Sequence, residues 1–235
     1  MSPLLAELAA AFHGQSPTVS VEVTGLGTRF GLESLRAGEA EMAMASWLSP
    51  DLSRQSPDHP WRATAIARDG IAVIVHPENQ IAGLGLLQLR DLFSGRIEMW
   101  EGVGGRAREG LVQPISREEG SGTRAAFEAL VMEDQRVTPL AVVVPSSQAV
   151  VDYVAQHPGA IGYVSMGSVS PAVKALKLEG EAPTPEGAGK GSYPLTHELW
   201  LVTADPPAAA VQNFLDFILS PAGQQIVGRR YGRIK

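Results

Sequence analysis

With 235 residues, 44% of them hydrophobic and 19% charged, the chain has apolar material for one large domain or two lobes, which excludes wholesale disorder. Its 19 Lys+Arg against 25 Asp+Glu give a formal net charge of −6, which argues against a nucleic-acid partner. The absence of cysteine excludes disulfide frameworks and thiol-based metal or nucleophile sites, and no apolar run reaches the roughly 18 residues of a membrane span.

The N-terminal "MSPLLAELAAAF" sets Leu4, Leu5, Leu8 and Phe12 on one helical face. It lacks a basic n-region and carries Glu7, so it reads as a helix and not as a signal peptide. A chain opening this abruptly in a helix is expected to have had a segment before it. Residues 18–24, "TVSVEVT", alternate as a strand, with Val19, Val21 and Val23 on one face. The glycine turn "GLGT" at 25–28 leads to a short helix ending near Gly38, and 40–46, "AEMAMAS", reads as a second strand.

A Pro- and Ser-rich loop over 49–60 precedes a long apolar run, 63–76, expected as a strand with a bend at Gly70. A helix over 86–93 stops at Ser94-Gly95, and a strand over 112–116 feeds a helix reaching about Glu133. Next come a strand over 142–144, a helix over 146–157 burying Val150, Val151 and Val154, and strands over 159–166 and 173–179. Residues 181–192 read as a Gly/Pro-rich linker. A strand over 195–203 follows, then helices over 206–219 and from 221 to about 230, each opening on proline. Strands alternating with helices imply an α/β fold with mostly parallel sheets flanked by helices.

The stretch 116–124, "SREEGSGTR", gathers hydrogen-bond donors at the mouth of a helix. The first N–H groups of a helix have no internal partner, and the helix dipole favours an anion there. Gly120 and Gly122 permit close backbone approach, Ser121 and Thr123 add hydroxyls, and Arg117 can give a bidentate pair to an oxyanion. The plain alternative is an ordinary N-cap at Ser121. The "GLGT" turn repeats the same grammar with Thr28. Its glycines are spaced GxGxxxG, unlike the GxGxxG dinucleotide fingerprint, and a tight βα connection is its plain alternative. Ser46 is a third hydroxyl at a strand's C-terminal edge, where ligands of open α/β sheets gather. Together the three sites point to a bound anion.

Other chemistry fails on spacing. "EGSGT" has Glu119 where a nucleophile elbow needs glycine, and "EGAGKGS" at 186–192 departs from a P-loop at Thr184 and Gly191. His13, His59, His76, His157 and His197 show no ligand spacing and are expected at the surface or at strand ends. Trp47, Trp61, Trp100 and Trp200 are expected in the core. Glu118 and Glu119 are expected in solvent, because either would repel an anion, and Arg29 and Arg124 on exposed helix faces. Without paired carboxylates, a Cys/His dyad or a metal cluster, the chain is expected to be no enzyme and to need no cofactor.

These segments, with "PLLAELAAAF", "ARDGIAVIVHPEN", "LRDLFSGRIEMW", "PGAIGYVSM", "YPLTHELWLVT" and "FLDFILSPAGQQIV", cover nearly the whole chain in one order. In them the chain resembles the phosphate-binding substrate-binding proteins of phosphate ABC transporters. The resemblance implies a two-lobed type II periplasmic-binding-protein fold, with lobe I at 1–74 and 196–235, lobe II at 75–195, and two crossing strands between them. It implies that phosphate or a related tetrahedral oxyanion sits in the cleft, held by Thr28, Ser46, Arg117, Ser121, Gly122 and Thr123, and that hinge closure completes the grip. In some members an aspartate follows the strand-end serine and accepts the proton of hydrogen phosphate; this chain has Trp47 there. The family's first anion-binding loop precedes the "PLL" helix, and its counterpart here is reduced to Ser2. The implied protein is an extracytoplasmic monomer, periplasmic or lipid-anchored, which delivers its ligand to a membrane permease of an ABC transporter. The alternative is a sensor or interaction module that keeps the fold without the uptake role.

Overall fold

The computed structural model describes residues 2–25, 27–48, 61–106 and 110–234; the expected loop over 49–60, with His59, lies outside them. Helix α1 (Ser2–Gln15) buries Leu4, Leu8 and Phe12, as its spacing predicts. The Phe12 ring packs 5.2 Å from Phe214 and 5.5 Å from Phe217. Burial of each such side chain contributes about 1.5–3 kcal/mol, which outweighs the weak intrinsic stability of a helix this short.

Among the described residues, the expected strand over 18–24 pairs with no other strand. Val19, Val21 and Val23 keep their alternation, half-buried against the same apolar cluster. A groove of about 630 Å³, lined by this segment and by β1 (Met42–Ala45), lies alongside it, so side-chain burial is achieved without a ladder. Between them, α2 (Thr28–Ala37) starts from Gly27, at φ 89°, and ends on left-handed Gly38.

Strand β2 (Trp61–Val75) is the spine of the molecule. Its successors are β3 (Gly83–Leu84), α3 (Leu86–Ser94), β4 (Gln113–Arg117), α4 (Gly122–Phe127), β5 (Val142–Val144) and α5 (Ser147–Gln156). They are followed by β6 (Ala160–Ser165), β7 (Lys174–Ala175), β8 (Lys177–Leu178), α6 (Pro185–Lys190), β9 (Thr196–Ala204), α7 (Ala209–Leu219) and α8 (Pro221–Val227). The main sheet has the order β1-β9-β2-β6-β4-β5, with β7 added beside β2 and β3 paired separately with β8. The α/β fold holds, in a mixed sheet: β4, β5 and β6 run parallel, whereas β2 is antiparallel to both β9 and β6. Residues 61–70 of β2 pair with β9 and residues 71–75 with β6. The register irregularity falls between Ala65 and Ala67, not at Gly70. Gly70 instead lies under a ring, since a Cβ there would sit 3.0 Å from Tyr193 Cδ1.

Two further expectations change, and one helix keeps its expected extent in another form. The 181–192 linker contains α6, because Thr184 caps it (its Oγ accepts from Gly187 N) and Pro185 suits the first turn. Helix α7 begins at Ala209 and not at Pro206, since a residue that precedes proline, as Pro206 precedes Pro207, is driven out of helical geometry. The helix from Gly122 turns π-helical over Glu128–Met132 and stops at Glu133, whose φ is 51°.

His197 is the second residue of β9, at a strand end as expected, and it is buried there, facing Asp69 across the β2–β9 ladder with Nε2 4.0 Å from Asp69 Oδ2. Asp69 Oδ1 accepts from Met166 N at 3.2 Å. Among the described residues, Asp69 Oδ2, both His197 nitrogens and Ser165 Oγ have no hydrogen-bond partner. Burial pushes the Asp69 carboxyl up to about 7 and holds the His197 imidazole down at about 4.

Candidate functional site

The turn after β4 is built from its own residues. Ser121 Oγ accepts from Arg124 N at 3.3 Å, so the expected cap is present. Ser121 N donates to Glu118 O at 3.2 Å, closing the turn that sets Gly122 and Thr123 at the first two helical positions. Their N–H groups have no intrahelical acceptor. Arg117, Ser121 and Thr123 are all buried.

On the facing side, Thr28 opens α2 and Ser46 ends β1, and Ser46 N donates to Thr28 Oγ1 at 3.2 Å. The two sides touch. A Cβ added to Gly122 would lie 2.2 Å from Thr28 Oγ1 and 3.1 Å from Ser46 Cβ, so only glycine permits this approach. Arg29 N reaches Gly120 O at 3.4 Å across the same seam. Thr28, Ser46, Ser121, Gly122 and Thr123, far apart in sequence, are thus brought together.

Arg117 is held differently from the expectation. Its Nε and Nη2 donate to the two carboxylate oxygens of Glu118 at 2.9 and 2.8 Å, Nη2 also approaches Pro145 O at 3.4 Å, and Nη1 donates to Ser147 Oγ at 3.0 Å. Four of the five N–H groups of a guanidinium are thereby engaged, leaving one on Nη1. Glu118 is therefore half-exposed and paired with the arginine, where solvent alone was expected. A neighbouring carboxylate stabilises a buried guanidinium that would otherwise be unpaired. Glu119 is exposed, as expected. The backbone of Arg117 is fixed too: Tyr163 OH lies 2.9 Å from Ser116 Oγ and 3.4 Å from Arg117 N. Burial raises that phenol to about 12, so it stays a neutral hydrogen-bonding strut.

Arg29 does lie on an exposed helix face, paired with Glu33. Arg124 is half-buried, donating to Glu128 at 2.8 Å and to Arg117 O at 3.0 Å. Trp100 is core, whereas Trp61 and Trp200 are half-buried, and Trp47 lines a cavity of about 450 Å³ between α2 and α4. Sequence reasoning missed Ser147. It starts the helix after β5, which runs parallel to β4, so the strand-end rule that found Ser46 would have found it.

A family profile described as a PBP superfamily domain matches residues 1–222. The chain is 24% identical over 239 residues to the phosphate-binding protein PstS of Bacillus subtilis, covering 100% of this chain and 77% of that protein. A solved structure from Clostridium perfringens, described as a phosphate ABC transporter substrate-binding protein with bound phosphate, superposes with a TM-score of 0.92 at 32% identity, over 100% of this chain and 96% of that one. An ABC-type phosphate transport receptor from Vibrio cholerae gives a TM-score of 0.80 at 28% identity, over 98% and 95%. The chain therefore belongs to the PBP superfamily, and within it to the family of phosphate ABC transporter substrate-binding proteins.

Proposed function

We propose that the protein captures phosphate, or a related tetrahedral oxyanion, between two lobes and delivers it to the membrane permease of an ABC transporter. Lobe I comprises 1–74 and 196–235, lobe II comprises 75–195, and β2 and β9 cross between them. The observation that carries the reading is the convergence of two donor sets, Thr28 and Ser46 with Ser121, Gly122 and Thr123, beside a buried arginine. Neutral hydroxyl and N–H donors supply most of the grip, and the free Nη1–H of Arg117 adds a charge-assisted bond. Glu118 and Ser147 fix that guanidinium before any ligand arrives, which reduces the ordering cost of binding. Opening about the crossing strands admits the anion and closing excludes water.

The relatives are named as binding and transport proteins, which supports delivery over catalysis and over a sensor role. Among the described residues no helix is long and apolar enough to cross a membrane. The protein acts outside the cytoplasm, as a periplasmic or lipid-anchored monomer. Calorimetric titration with phosphate, arsenate, sulfate, molybdate and tungstate tests the reading. The expected outcome is micromolar or tighter binding of phosphate, lost in Arg117→Ala. Absence of heat with all five anions overturns it.

A further inference from the structure

The cavity beside the clamp is far larger than a tetrahedral anion. At about 450 Å³ it falls in the range of roughly 300–1,000 Å³ that houses small organic ligands, whereas an ion a few times the ~30 Å³ of a water fills little of it. It borders the clamp itself: Thr28, Ser121 and Gly122 are among its lining residues. The rest of its wall includes Leu32, Trp47 and Ala125. The charges around it balance, Arg29 paired with Glu33, Arg124 with Glu128, and Arg36 offset in formal charge by Glu119, so the wall demands no net charge from an occupant.

The chemistry of the clamp points the same way. None of its six residues is a carboxylate, and the position after Ser46 is Trp47, whose indole N–H can only donate. Inorganic phosphate as the dianion keeps one P–OH, which must find an acceptor. A phosphomonoester has a second pKa near 6, so at slightly alkaline pH its three free oxygens carry no proton and only accept. Its fourth oxygen carries carbon, and the cavity that Thr28, Ser121 and Gly122 line together with Trp47 has room for that substituent.

We propose that this site also takes small phosphomonoesters, the phosphoryl group on the clamp and the organic substituent in the cavity between α2 and α4. This rests on the oxyanion reading given above and narrows its ligand class. The substituent lies against Leu32 and the indole of Trp47, which contribute apolar contact without a charge requirement.

Competition calorimetry at pH 8 tests it, with inorganic phosphate first and then glycerol 3-phosphate and phosphoethanolamine titrated into the phosphate-loaded protein. The expected result is displacement of phosphate with an affinity within about tenfold of phosphate's own. Ala125→Phe, which adds bulk to the cavity wall one turn beyond Ser121 and leaves the clamp side chains unchanged, is expected to weaken the esters by about tenfold or more and to leave phosphate binding in place. Phosphate binding with no displacement by either ester overturns the proposal and leaves the oxyanion reading standing. Equal weakening of phosphate and esters by Ala125→Phe also overturns it, because the substituent would then have no place of its own. Failure of both esters and of all five oxyanions to bind overturns both readings together.

Discussion

Arg117 and Ser121 are about as buried as Asp69 and His197, yet the two clusters meet burial in opposite ways. At the clamp, the guanidinium is tied to Glu118 and Ser147 at 2.8 to 3.0 Å, and the serine oxygen caps a helix. Across the β2–β9 ladder, Asp69 and His197 face each other at 4.0 Å, with Oδ2 and both ring nitrogens unpartnered among the described residues. A buried group with a partner keeps its charge and its geometry, whereas one without a partner sheds the charge. Across the β2–β9 ladder that cost shows as a raised Asp69 carboxyl and a lowered His197 imidazole.

The largest expected effect breaks the second cluster. The folded carboxyl of Asp69 sits at about 7 against an ordinary 3.8, so its contribution to stability is full below about pH 4 and is lost as pH rises through 7. The imidazole of His197 sits at about 4 against 6.5, so its contribution is full above 6.5 and is lost as pH falls through 4. Between about pH 4 and 6.5 the two slopes oppose and offset one another. Tyr193 and Tyr231 face the same carboxyl, but burial raises both phenols well clear of this window. His197→Phe leaves the Asp69 slope alone. Urea unfolding of that variant should lose about 1.4 kcal/mol per pH unit across the window, roughly 3 kcal/mol in all. A variant whose profile stays parallel to the parent's would show that the pair does not exchange the proton assigned to it.

The same contrast explains what the sequence could reveal. The turns that meet at Gly122 were legible because their parts are local: a glycine, a hydroxyl and a helix start within a few residues, at Thr28 and again at Ser121. Alternation in 18–24 was legible as burial, but not the lack of a partner strand, which depends on the groove beside β1. The pairing of Asp69 with His197 was hidden because it follows from the β2–β9 register, and a side chain's neighbour across a ladder cannot be read from either strand alone. Glu118 misled for a related reason. Like-charge repulsion argued for solvent, while the adjacent arginine, folded back on it, outweighed that term.

The next effect falls on the clamp, where the two sides meet at Gly122. In Gly122→Val the added carbon would collide with Thr28 Oγ1, 2.2 Å from an ideal Cβ. The lesion costs about 1–3 kcal/mol if the neighbours cannot yield, which is roughly 5- to 150-fold in affinity. Because the clash is relieved by parting two facing segments, phosphate calorimetry should register it more strongly than urea unfolding does. An unchanged phosphate affinity would mean that the close approach of α2 and α4 plays no part in holding the anion.

The smallest effect separates the two duties of one oxygen. Ser121 Oγ accepts from Arg124 N, and its own proton is left to donate to a ligand. Loss of a serine cap to alanine costs about 1 kcal/mol, whereas glycine at the same position costs only a few tenths. Ser121→Ala should therefore lower both unfolding stability and phosphate affinity. In Ser121→Gly the stability should stay within a few tenths of a kcal/mol of the parent while the affinity still falls, because glycine replaces the cap's backbone role and not its hydroxyl. If Ser121→Gly instead binds phosphate as the parent does, the hydroxyl is a helix cap alone, and Gly122, Thr123 and Arg117 carry that side of the clamp without it.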